Sequence, residues 1–222
     1  MSTINELKIN GQYGQFRVRP AAIDKMIVEE STTFSSIREL YIRNCYFKFH
    51  DFDPREIKTV LDLGANRGLA STMFTPFAEK IVSIEANPLF KEVIHFNVVE
   101  TNGFKDHHIG CFFVDRHQSQ DGLQPNTITI AEIISKYHLD QIDFLKIDIE
   151  GSEFAIFDML PFNIIRYLSM EVHPQAGSVA DLIDILKQNS FSFVMANSRL
   201  TVTNNLDDVD YIYARNDRLL KK

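Results

Sequence analysis

The sequence predicts an open, doubly wound α/β domain on a mostly parallel sheet, and three observations predict it. From residue 60 onward, short apolar runs alternate with stretches of helical periodicity, the pattern of strand–helix–strand units. The first run, Thr59-Val60-Leu61-Asp62-Leu63, breaks into the Gly-x-Asn-x-Gly turn Gly64-Ala65-Asn66-Arg67-Gly68, as a buried strand delivering a ligand loop would. The five expected parallel strands end at Asp62–Gly64, Glu85, Asp115, Asp148–Glu150 and Glu171–His173, so acids and a histidine converge on the edge where α/β sheets bind ligands.

In chain order, residues 1–57 form a mixed preface that could roof an active site, and residues 58–222 form the core domain. Within the preface, Phe16-Arg17-Val18-Arg19-Pro20 alternates like a short edge strand, and Ser35 to Arg43 has helical spacing at Ile37, Leu40 and Tyr41. The glycine turn opens a crossover helix that should stop near Phe74 or kink, because Pro76 removes an amide donor and clashes with the preceding turn. The strand Lys80 to Ile84 follows. Asn87-Pro88 is a helix start, cap then proline, for a helix over Leu89 to Thr101 with Phe90, Val93, Ile94 and Asn97 on one face and Gly103 at its end.

A third strand is expected over Ile109 to Val114, and a helix over Thr129 to His138 with Ile130, Ile133, Ile134 and Tyr137 inward. Then come the strand Ile142 to Ile149, a helix from Gly151-Ser152-Glu153 to Pro161, and a fifth strand over Tyr167 to Val172. A helix over Val179 to Gln188, capped by Ser178, precedes two last strands, Phe191 to Met195 and Val209 to Ala214.

Composition narrows the function classes. A net charge of −7 argues against an extended nucleic-acid footprint, and Arg17, Arg19, Arg38 and Arg43 are too scattered for a basic groove. The basic end, Arg215, Arg218, Lys221 and Lys222, reads as a solvated tail. Cys45 and Cys111 lack the spacing of a zinc site or a disulfide framework and read as small buried hydrophobes. Met1 to Gln15 lacks an apolar signal region, and no apolar run reaches the roughly 18 residues of a membrane span, so a soluble, cytoplasmic protein is expected. An exposed apolar helix in residues 35–47 would support a homodimer.

The loop separates two cofactor classes. A dinucleotide site needs G-x-G-x-x-G, but Asn66 and Leu69 occupy the second and third glycine positions. S-adenosylmethionine instead needs an acid near its ammonium and an acid for its ribose diol. Asp62 supplies the first; Glu85, ending the next strand, is placed for the second. Strand periodicity puts Lys146, Asp148 and Glu150 on one side, and charges in a central strand demand partners or a function. Neutralisation of Lys146 by a neighbouring acid is the plain structural alternative.

Asp62-Leu-Gly64-Ala-Asn66-Arg-Gly68-Leu-Ala-Ser71, Glu85-Ala-Asn-Pro88, Lys146-Ile-Asp148-Ile-Glu150-Gly151-Ser-Glu153 and Glu171-Val-His173 together resemble the FkbM-type S-adenosylmethionine-dependent methyltransferases, in order and spacing. The resemblance implies a class I methyltransferase fold, a seven-stranded sheet with its last strand antiparallel and helices on both faces. It implies O-methylation of a small molecule, sugar or natural product, with S-adenosylhomocysteine as the product. By the same resemblance Gly64, Asn66 and Gly68 hold the methionine end, Ser71 faces it from the helix start, and Glu85 clasps the ribose; Asp115 is a candidate for the adenine amino group, or else a surface turn acid. Asn87 intervenes between the ribose acid and Pro88, a departure that leaves the helix start intact.

Methyl transfer is an in-line displacement that needs the acceptor oxygen roughly 3 to 3.5 Å from the methyl carbon. His173 is the best-suited base by its ordinary pKa, unless a loop carbonyl holds it. Asp148 is expected to orient the acceptor hydroxyl or the methionine ammonium, with Glu150 and Glu171 beside it. Glu153 would complement a helix dipole, and His107-His108 would be loop residues. No dedicated metal motif is present and no metal is expected; the alternative is a divalent cation held by Asp148, Glu150, Glu171 and His173. The competing readings are an RNA or protein methyltransferase and a noncatalytic cofactor-binding subunit.

Overall fold

The computed structural model describes residues 7–11, 14–18, 37–117 and 126–220. The N-terminal hairpin pairs β1 (Leu7–Gly11) with β2 (Gly14–Val18) antiparallel. Arg19, Pro20, Ser35, Ser36, most of the 115–126 loop and Lys221-Lys222 lie outside the described residues. Residues 38–42 form one π-helical turn that leads into the sheet.

The sheet strands are β3 (Thr59–Leu63), β4 (Lys80–Ile84) and β5 (His107–Gly110), with the short pair β6 (Phe113–Val114) and β7 (Thr127–Ile128) apart. They continue as β8 (Ile142–Ile147), β9 (Ile165–Glu171), β10 (Phe191–Ala196) and β11 (Tyr211–Asn216). Seven strands make one sheet in the order β10-β11-β9-β8-β3-β4-β5, with β11 antiparallel to both its neighbours. The expected seven-stranded, mostly parallel sheet with its last strand antiparallel is therefore present.

The helices are α1 (Leu69–Phe74), α2 (Lys91–His95), α3 (Ile130–Tyr137), α4 (Glu153–Ile156), α5 (Val179–Gln188) and α6 (Asp217–Leu220). Helix α1 stops at Phe74, two residues before Pro76, as the missing proline donor requires. Asn87 accepts from the Leu89 amide and starts a short 3₁₀ turn that runs into α2 and a π-helical turn to Glu100. Thr129 and Glu132 form a reciprocal capping box on α3.

The third strand differs from expectation. It begins at His107 and stops at Gly110, and Phe113–Val114 leaves the sheet to pair with Thr127–Ile128. A Cβ at Gly110 would lie 2.7 Å from both Ile84 Cδ1 and Tyr137 Oη, so the chain squeezes through a gap there. His107 and His108 accordingly lie in β5 rather than a loop.

Both faces of the sheet are covered. Leu61, Leu63, Leu145, Ile147, Leu168 and Met170 face one side, while Val60, Ile81, Phe144 and Tyr167 face the other. Full burial of each large side chain contributes about 1.5–3 kcal/mol. On the second side the strand register aligns four polar residues, Ser83 opposite Asp62, Asp62 opposite Lys146 and Lys146 opposite Ser169. Residues 40–50 lie over this face, with Leu40, Tyr41, Cys45, Tyr46 and Phe47 buried. Tyr41 Oη donates to the Leu69 carbonyl, Ser169 Oγ to the Tyr46 carbonyl and Lys48 Nζ to the Leu200 carbonyl. The apolar residues of this segment are thus used internally, leaving Ile42 exposed.

Candidate active site

The site forms where β3, β4, β8 and β9 end. Gly64 follows β3 at φ +76°, and a Cβ on it would sit 1.6 Å from the Asp148 carbonyl oxygen. Only a glycine lets the loop lie against the end of β8. The Gly64 and Ala65 amides both donate to the Ile84 carbonyl, which ties the loop to β4. Glu85 accepts the Asn66 amide at 2.7 Å on one oxygen and the Asn87 amide at 2.8 Å on the other, so its carboxylate is fixed with further acceptor capacity on each oxygen.

Beneath the loop lies a buried charge cluster. Lys146 Nζ donates to the Gly64 carbonyl at 2.6 Å and stands 3.2 Å from Asp62 Oδ1 and 3.6 Å from Asp148 Oδ2. Burial opposes its charge, but Asp62 and Asp148 outweigh that, and its pKa is raised. Asp62 also accepts from Ser71 Oγ at 2.7 Å, Ser71 Oγ lies 2.7 Å from Ser83 Oγ, and Ser83 Oγ lies 2.8 Å from His107 Nε2. A carboxylate only accepts, so the donors run from His107 through Ser83 and Ser71 to Asp62. Asp62 and Ser71 are fully buried and support the loop from below.

Above the cluster, Tyr46 from the N-terminal segment places its hydroxyl 2.9 Å from Asp148 Oδ2 and 3.4 Å from Glu171 Oε2. Burial and the Asp148 charge push the Tyr46 pKa well above its usual value. Burial and the same Asp148 charge push Glu171 up to about 7.

Two clefts adjoin across the loop. The first, about 470 Å³, is lined by Tyr46, Arg67, Lys146, Asp148 and Glu171 together with Glu39 and the loop itself. The second, about 780 Å³, is lined by Glu85, Phe112, Phe113, Val114, Ile149 and Glu150. Gly64, Asn66 and Asp148 belong to both.

The remaining expected site residues lie elsewhere. Gly68, at φ +75°, starts α1. Asp115 lies beyond the lining of either cleft, and its amide donates to the Ile128 carbonyl. His173 also lines neither cleft. Its Nδ1 is 2.8 Å from Glu153 Oε1 and its Nε2 is 3.5 Å from Glu150 Oε2. Burial lowers its pKa, and Glu153 more than reverses this. Glu153, expected to complement a helix dipole, is fully buried and accepts the His173 and Gly151 amides as well. Sequence reasoning missed Tyr46, whose only signal was that Lys146 and Asp148 would need partners from outside the strand.

Comparison with known proteins agrees with this architecture. The Methyltransferase FkbM domain family matches residues 62–193. No curated protein sequence matches the chain. Among solved structures, a methyltransferase FkbM from Methylobacillus flagellatus KT shares 16% identity at a TM-score of 0.59 and is covered over 52% of its length, against 88% of this chain. The chain thus spans about half of that protein. An rRNA methylase from Streptococcus thermophilus shares 7% identity at a TM-score of 0.49, over 73% of this chain and 91% of that one. The N-methyltransferase NodS from Bradyrhizobium japonicum WM9 shares 11% identity at a TM-score of 0.45, over 83% of this chain and 96% of that one. With the matched span exceeding half its length, the chain belongs to the FkbM family of S-adenosylmethionine-dependent methyltransferases.

Proposed function

We propose that this protein methylates a hydroxyl group on a small molecule, sugar or natural product. The observation that carries the reading is the pair of adjoining clefts, which meet at Gly64, Asn66 and Asp148. Glu85 in the larger cleft would hold the ribose diol, Phe112, Phe113 and Ile149 would flank the adenine, and Gly64 and Asn66 would hold the methionine end. The cradle at Gly64, which a single Cβ would fill, fits a ligand pressed against bare backbone. When bound, S-adenosylmethionine supplies an electrophilic methyl on a positively charged sulfur.

The smaller cleft takes the acceptor. Asp148 orients its hydroxyl, Glu171 takes its proton, and Tyr46 holds the two carboxylates in place. Glu171 has this role rather than His173 because Glu171 lines the cleft and His173 does not. The segment 37–50 acts as a fixed roof over the acceptor. Cys45 and Cys111 are free thiols, which suits a reducing cytoplasm.

Calorimetric titration with S-adenosylhomocysteine, with NAD as control and Glu85→Ala alongside, tests the cofactor site; a panel of hydroxylated, amine and RNA acceptors with S-adenosylmethionine tests the chemistry. Binding of S-adenosylhomocysteine but not NAD, weakened at least tenfold in Glu85→Ala, is expected, with methyl transfer confined to hydroxyl acceptors. Transfer to amines or RNA alone would overturn the acceptor assignment.

A further inference from the structure

We infer that Asp148, Glu150 and His173 form a binding site for a divalent first-row transition-metal ion at the carboxyl edge of the sheet. One ligand atom from each of the three lies within 4.8 Å of the others, close enough for one ion to be shared. The residues come from two strand ends. Asp148 directly follows β8, Glu150 turns out of the strand direction at φ +54°, and His173 lies two residues beyond β9.

The histidine is prepared on its far side. Glu153 is fully buried and accepts three donors: the Gly151 amide, the His173 amide and His173 Nδ1. With Nδ1 donating to that carboxylate, the neutral ring presents the Nε2 lone pair toward Glu150 and Asp148. Metal-ligating histidines carry this second partner almost invariably, because it fixes the tautomer and the ring plane. Glu150 is 87% exposed and free to close on an ion. Two carboxylates and one imidazole suit Mn²⁺ or Zn²⁺ rather than a soft metal, and three protein donors leave positions open for water or an acceptor oxygen.

Asp148 lines both clefts and Glu150 the larger one, so an ion here would sit at their junction, where it would favour ionisation of an acceptor hydroxyl brought against Asp148. That role rests on the proposed function, whereas ion binding does not. The competing account is a plain ion pair between a protonated His173 and Glu150.

The test is titration of EDTA-treated full-length protein with Mn²⁺, read from the electron paramagnetic resonance signal of the free ion, with Zn²⁺ followed by calorimetry. One ion per chain is expected, with affinity reduced at least tenfold in Glu150→Gln and in His173→Gln. Glu153→Gln, a positioning change, should weaken binding by roughly ten- to a hundredfold. An undiminished free Mn²⁺ signal together with no heat from Zn²⁺ would overturn the site, as would binding that Glu150→Gln and His173→Gln leave unchanged. Because Glu150 is exposed, its variant should fold. Failure of the wild type to bind S-adenosylhomocysteine would count against the proposed function and leave the ion result standing.

Discussion

His50 is enclosed by the rings of Phe52, Phe144, Tyr167 and Tyr213, and its Nε2 is hydrogen-bonded to Ser169 Oγ at 2.7 Å. Burial pulls its pKa from 6.5 down to about 3, a Leu168 backbone hydrogen bond opposing only in part. His107, half-buried in β5 beside β4, is lowered to about 4 by desolvation and by the nearby His95 and His108. Both are neutral when folded and take up a proton on unfolding below pH 6.5. The unfolded state then binds more protons, so stability falls as pH drops from about 6.5 toward 3, by up to about 1.4 kcal/mol per pH unit for His50. Denaturant unfolding of wild type and His50→Gln between pH 7 and 4 checks this: the difference in stability between them should shrink as pH falls. A constant difference would mean that His50 does not stay neutral in the fold.

Among the elements, α3 shows how a local signal fixes a helix end. Thr129 Oγ1 accepts the Glu132 amide while Glu132 accepts the Thr129 amide, and the helix buries Ile130, Ile133 and Tyr137. Thr129→Ala should cost about 0.5–2 kcal/mol in thermal or denaturant unfolding, with S-adenosylhomocysteine affinity unchanged. The helix was legible from its apolar stripe at Ile130, Ile133, Ile134 and Tyr137, and so were the Asn87 cap and the stop before Pro76. The same holds for the strand ends that bring Gly64, Asn66, Glu85, Asp148 and Glu171 together. The break of the third strand at Gly110 was not legible, because Ile109 to Val114 reads as one apolar run and the obstruction comes from Ile84 and Tyr137. Tyr46 was equally hidden, since it meets Asp148 across 102 residues of sequence. The burial of Ser71 and Asp62 depends on side-chain direction beneath the loop, which strand and helix periods do not specify.

At the scale of the whole molecule, the N-terminal segment and the sheet share one core. Phe47 is buried and its ring lies 5.0 Å from Phe74 and 5.2 Å from Phe144. Removal of residues 1–57 should therefore leave a chain with lost near-ultraviolet circular dichroism and strong binding of a hydrophobic dye, the signs of lost side-chain packing. A truncated protein that keeps its near-ultraviolet spectrum would show that the sheet folds without its cover. The row Ser83, Asp62, Lys146 and Ser169 has a separate consequence for how the chain finds its pairing. Strands that are apolar on both sides tolerate sliding, because a one-step shift exchanges one greasy surface for another. Here a one-step shift of β8 would carry the Lys146 ammonium to the face of Leu61, Leu168 and their neighbours, away from Asp62. The row works as a keyway across four strands: a misaligned sheet cannot close, and the alignment that does close is the one that sets the two clefts side by side.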